Sequence, residues 1–99
     1  MPIGMLLIAP GMGREQYDRI NEKVFGARQW APREAPEGLI MHSAGPIEGG
    51  WYAYDIWESR EDFERFANER LMAAMHQVIG GPPPGDGPQF FEIANLVRV

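Results

Sequence analysis

Apolar positions in this chain come as short runs and as spaced stripes, and the two patterns alternate. Ile3–Ala9 is a short apolar run closed by Pro10 and Gly11, which predicts a buried strand. Gly13 then serves as an N-cap with Gln16 at the capping-box position. Tyr17, Ile20, Val24 and Phe25 follow on one helical face, and Gly26 stops that helix. Ala27–Gly38 contains Pro32 and Pro36 and reads as a surface loop, with Trp30 as a cover over the edge of the core. Leu39–Gly45 and Trp51–Glu58 read as two strands joined by a glycine hairpin. Ser59-Arg60-Glu61-Asp62 opens a second helix with the apolar stripe Phe63, Phe66, Ala67, Leu71, Ala74, Met75 and Val78. Gly80–Pro88 is a proline-glycine crossing loop, and Phe90–Val97 is a last strand.

The order is strand, helix, strand, strand, helix, strand. It predicts an α+β, ferredoxin-like βαββαβ domain: a four-stranded antiparallel sheet with two helices on one face. Two helices shelter only one side of such a sheet. Yet the strands are apolar or aromatic on both sides, with Trp51 and Trp57 alternating with Tyr52, Tyr54 and Ile56. The unsheltered face needs a cover, and a second copy of the sheet is the simplest one, giving a dimeric α+β barrel with a pocket between the twins. With 99 residues the chain is one domain. A chain so short buries only about 60–65% of the surface it exposes when unfolded, so a homodimer interface is a natural supplement.

Composition narrows the partners. A formal net charge of −5 argues against nucleic acid and against an anionic membrane. The absence of cysteine removes disulfides, iron–sulfur clusters and thiolate zinc sites, and two histidines are too few for a three-histidine metal site in one subunit. The apolar run near the start is too short for a signal core or a membrane span, so the chain reads as cytoplasmic. No GxGxxG, phosphate loop, HExxH or Gly-x-Ser-x-Gly motif is present.

The segment Tyr54-Asp55-Ile56-Trp57-Glu58-Ser59, followed by Phe63 and Phe66, resembles the third-strand-to-second-helix junction of the dimeric α+β barrel superfamily. The antibiotic biosynthesis monooxygenase group is the nearest named branch. Ile40-Met41-His42-Ser43-Ala44-Gly45-Pro46 with Gly49-Gly50-Trp51 is similar to small uncharacterised bacterial members. The resemblance implies the fold more than the reaction, since the scaffold hosts cofactor-free monooxygenases, cyclases, isomerases, haem-degrading enzymes and non-catalytic proteins. In haem-degrading members an aromatic residue on the second helix, usually Trp, precedes a haem-ligating His by ten residues. Phe66 and His76 match that spacing, although Phe66 departs from Trp. Ala9 stands near the place of the Asn those enzymes carry on strand one.

His42 and Asp55 are the leading catalytic candidates. If Glu48-Gly49 is the hairpin turn, His42 pairs Asp55; if Gly49-Gly50 is the turn, the two sit one diagonal step apart on the same face. A register of opposite parity sets His42 against Tyr54 and splits the pair. Ile40, Ala44, Trp51, Ala53 and Trp57 share the His42 face. A carboxylate beside an imidazole in an apolar wall fixes the ring's tautomer and suits a general base or acid; the plain alternative is a satisfied structural pair. Trp57 and Trp51 serve as cavity walls or as core. Tyr17 either seals the sheet or offers its hydroxyl to the cavity. Asn95 is the one amide in the last apolar run, a donor to a substrate carbonyl or a dimer contact.

These residues together suggest a small cofactor-independent enzyme. Its substrate is a hydrophobic aromatic or polyketide-like molecule, and the reaction is His-mediated proton transfer serving monooxygenation, cyclisation or isomerisation. A non-catalytic barrel is the second reading, and it predicts that His42 and Asp55 are closed off from any cavity. Haem binding through His76 is the third.

Overall fold

The computed structural model describes residues 1–99. Strand β1 spans Ile3–Pro10 and helix α1 spans Arg14–Phe25. The side chain of Gln16 accepts a hydrogen bond from the Gly13 N–H at 3.0 Å, which fixes the start of α1. Gly26 ends it at φ 75°, a left-handed conformation open to glycine, and its N–H donates to the Glu22 carbonyl at 2.9 Å. A short 3-10 turn, Pro32–Glu34, interrupts the following loop.

Strands β2 (Leu39–Ile47) and β3 (Gly50–Trp57) form the hairpin. Its turn is Glu48-Gly49, with Gly49 at φ 81° and Ile47 paired with Gly50. Helix α2 (Arg60–Phe66) starts at Ser59, whose Oγ accepts from the Asp62 N–H at 3.2 Å. The second helix is not one continuous α-helix. A π-helical turn, Ala67–Leu71, separates α2 from α3 (Met72–Ile79). Four-residue apolar spacing, as from Ala67 to Leu71, reads alike in an α-helix and across a π turn, so the stripe conceals the insertion.

Strand β4 is only Gln89–Glu92, shorter than the predicted Phe90–Val97. The reason lies in its neighbour. β4 pairs with β1 from Leu6 back to Ile3, and the ladder ends with the Ile93 N–H on the Pro2 carbonyl at 3.0 Å. No ladder pairing continues past Ile93, so Ala94–Val97 lie outside the strand.

The sheet order is β2-β3-β1-β4, antiparallel at every pairing, and is compatible with a ferredoxin-like fold. One face carries Met5, Asp55 and Trp57. There Met5 and Trp57 join Phe66 in the core, with Val24, Phe25 and Phe63 packed against them, so the helices cover this side. A bulge shifts the register between Leu39 and Met41. It sets Leu39 opposite Trp57 and against the core, the place the alternating pattern assigned to Ile40.

The opposite face carries Ile8, Met41, Ile47 and Phe91, exposed by 40, 36, 38 and 41%. Tyr54 stacks on Phe91 at 6.1 Å between ring centroids. Gly4 lets that ring lie flat on β1, since a Cβ there would stand 2.3 Å from a Phe91 ring carbon and push the exposed ring aside.

Candidate functional site

A cavity of about 340 Å³, open on one side, lies within the chain between the sheet and the helices. It is formed by one chain alone, without residues from a second copy. Small side chains explain the space: Ala9 on β1, Ala53 on β3 and Ala67 in the π turn all line it where larger residues would fill it. The volume falls in the range of small-molecule pockets. Exposed Met72 and His76 stand at its margin, beside Pro82 and Pro83 of the crossing loop.

The strand register places His42 directly opposite Asp55. His42 Nδ1 and Asp55 Oδ1 are 2.5 Å apart, with side chains only 11% and 4% exposed. The other carboxylate oxygen accepts from the Trp57 Nε1–H at 3.1 Å. An ionised carboxylate only accepts, so Nδ1 carries the proton of the neutral ring and Nε2 presents a lone pair. Tyr17 meets that lone pair: its hydroxyl lies 2.6 Å from Nε2 and donates to it. Asp55, His42 and Tyr17 thus form a continuous hydrogen-bonded relay reaching from β3 through β2 to α1. Asp55, His42 and Tyr17 all belong to the cavity lining.

Burial raises the pKa of Tyr17 above its ordinary value, and the Asp55 carboxylate adds to the effect. The phenol therefore keeps its proton and remains a donor at neutral pH.

Two further residues hold the relay in place. Trp30 stacks on the His42 ring at 3.7 Å between centroids with 4° between planes. Its indole N–H donates to Asn21 Oδ1 at 2.8 Å, and Asn21 Nδ2 donates to the Arg28 carbonyl at 2.8 Å. Asn21, only 2% exposed, so pins the loop after α1 and sets Trp30 over the imidazole. Trp30 covers the core edge against Phe25 and Phe66, as its place in the sequence suggests, and it also walls the cavity, where it can meet a ligand. Asn21 was absent from the sequence-based candidates. Its signal was there: it stands four residues after Tyr17, on the same helical face, as an amide in an apolar stripe.

Among the other candidates, Trp51 and Tyr17 wall the cavity, their rings 5.2 Å apart, and His76 stands at its margin. Trp51 is 4% exposed and its Nε1–H has no acceptor within the protein. Trp57 and Phe66 are placed elsewhere: both are buried in the core cluster, and Trp57 touches the relay only through its bond to Asp55. Asn95 is exposed, past the end of β4, because the strand stops at Glu92.

The haem reading turns on His76 and on what lines the cavity beside it. His76 is exposed, and no Arg or Lys lines the cavity to meet a propionate. No group of three or more His, Asp or Glu side chains is arranged to hold a metal ion, and no helix is long and apolar enough to cross a membrane. No protein-family model matches the chain, and no curated protein matches it.

Proposed function

We propose that this chain is a small cofactor-independent enzyme that moves a proton on an uncharged, hydrophobic, aromatic or polyketide-like molecule. The observation that carries the reading is the Tyr17–His42–Asp55 relay set into the wall of a largely apolar cavity. A buried carboxylate that orients an imidazole, and supports the charge the ring gains on taking a proton, is the arrangement general acid–base chemistry needs. Cyclisation and isomerisation need only that proton shift. Monooxygenation needs molecular oxygen as a co-reactant as well.

The working form in this proposal is a cytoplasmic homodimer. The half-exposed apolar sheet face, with Ile8, Met41, Ile47 and Phe91 on one surface, supports burial against a second copy as a dimeric α+β barrel.

A second reading, a barrel that binds a ligand without turning it over, is favoured by one observation. Both nitrogens of His42 already have partners within the chain. Against it, the pair is not closed off from a cavity, as that reading requires.

The test is a thermal-shift screen of phenolic and polyketide-like compounds, followed by turnover assays of the hits with and without oxygen. Compounds that stabilise both wild type and His42→Ala, but are converted only by wild type, support the enzyme. Conversion unchanged in His42→Ala removes His42 as the base. Hits bound and never converted leave the binding barrel.

A further inference from the structure

We infer that Tyr17, and not His42, is the group that touches the substrate, and that it recognises a hydroxyl on an uncharged aromatic or enolic molecule. The inference rests on the cavity reading above and adds the point of contact and the functional group it selects.

His42 has no free nitrogen to offer. Nδ1 is committed to Asp55, Nε2 faces the Tyr17 hydroxyl, and one ring face is stacked under Trp30. The next atom along the relay is the Tyr17 oxygen. Its proton points to His42, and beside the Asn21 amide that also approaches the oxygen a lone pair remains to accept a hydrogen bond from a ligand. The cavity around it has no Arg or Lys, which disfavours a carboxylate or a phosphate, because a buried anion without a cation is costly. A neutral molecule carrying an acidic O–H satisfies both conditions.

The step is a paired transfer. The substrate O–H bond breaks and its proton forms a new O–H bond at Tyr17. In the same motion the phenolic O–H bond of Tyr17 breaks and its proton forms an N–H bond at His42 Nε2. Tyr17 ends neutral, the substrate carries an oxyanion that Tyr17 can hydrogen-bond, and the imidazolium lies against the Asp55 carboxylate. Burial disfavours a free tyrosinate, so exchange through Tyr17 suits it better than prior ionisation.

Calorimetry with three probes tests this: naphthalene, 1-naphthol and 1-methoxynaphthalene. All three have an apolar body for the cavity, but only the naphthol has a proton to give. Wild type should bind the naphthol about three- to tenfold more tightly than the ether, the range of one net hydrogen bond. Tyr17→Phe should lose that preference while still binding naphthalene. His42→Ala should narrow it too, because the Tyr17 proton, released from Nε2, can then serve the ether oxygen. A merely structural His42 would weaken both ligands alike and leave their ratio unchanged. Equal affinity for naphthol and ether in wild type, or a preference that survives Tyr17→Phe, overturns the inference while naphthalene binding leaves the cavity reading standing. Failure of all three probes to bind overturns both.

Discussion

The two faces of the sheet use the same alternating strands for opposite ends. On the helix-covered face, β3 supplies Trp51, Ala53, Asp55 and Trp57, and the one carboxylate among them is fully provided with donors. On the other face the same strand supplies Tyr52, Tyr54 and Ile56 beside exposed Ile8 and Phe91, with no ion pair. The sheet's ionisable pair thus sits where water is excluded, while large apolar side chains are left where water is present. A stable monomer gains from neither choice: buried charge is costly to keep, and exposed hydrophobes are wasted. The first arrangement fits a chemical task inside the chain, and the second a contact outside it.

The covered face should be the harder one to disturb. Asp55→Ala strands the His42 Nδ1–H and the Trp57 Nε1–H in the core. Each stranded buried donor costs about 1–3 kcal/mol, so the variant should lose roughly 2–6 kcal/mol, which urea denaturation should register as a fall in midpoint with an unchanged slope. Trp30→Ala should cost less, about 2 kcal/mol, through lost aromatic contacts with His42, Phe25 and Phe66. On the open face, Ile8→Lys should leave the midpoint of an isolated subunit within about 0.5 kcal/mol, since Ile8 is already exposed. If the second copy covers that face, the same substitution shifts sedimentation from dimer to monomer. An Ile8→Lys protein that sediments as wild type does would remove the sheet face as the interface.

These differences were unevenly legible in the chain. Local chemistry announced the element order: Gly13 with Gln16, the Ser59 cap and the glycine hairpin mark their own turns. The His42–Asp55 pairing followed from the turn once Glu48-Gly49 was taken, because register propagates along a ladder residue by residue. What sequence could not give was anything set by three elements meeting. The cavity depends on alanines from β1, β3 and the π turn facing one another. Trp30 reaches His42 only because Asn21 folds the intervening loop back, a contact between helix, loop and strand. Asn95 illustrates the converse: its apolar run looks like a strand, yet the β1–β4 ladder ends before it, and pairing is a property of two segments together.

The smallest expected effect is the one that reads the covered face most directly. Tyr17 has a pKa above its ordinary 10.0, chiefly because burial penalises the phenolate. The folded chain therefore holds a proton that the unfolded chain gives up. The resulting stability is whole below the unfolded value of 10.0 and is lost as pH climbs through the folded value. In an alkaline titration followed by phenolate absorbance, the difference between wild type and Tyr17→Phe isolates this one group, and its midpoint should stand above 10.0. Wild-type stability should also fall more steeply than that of Tyr17→Phe once pH passes that point. A difference curve centred at or below 10.0 would mean that the hydroxyl sits in water, and a relay ending in a solvated phenol could not exclude anions or select a neutral hydroxyl.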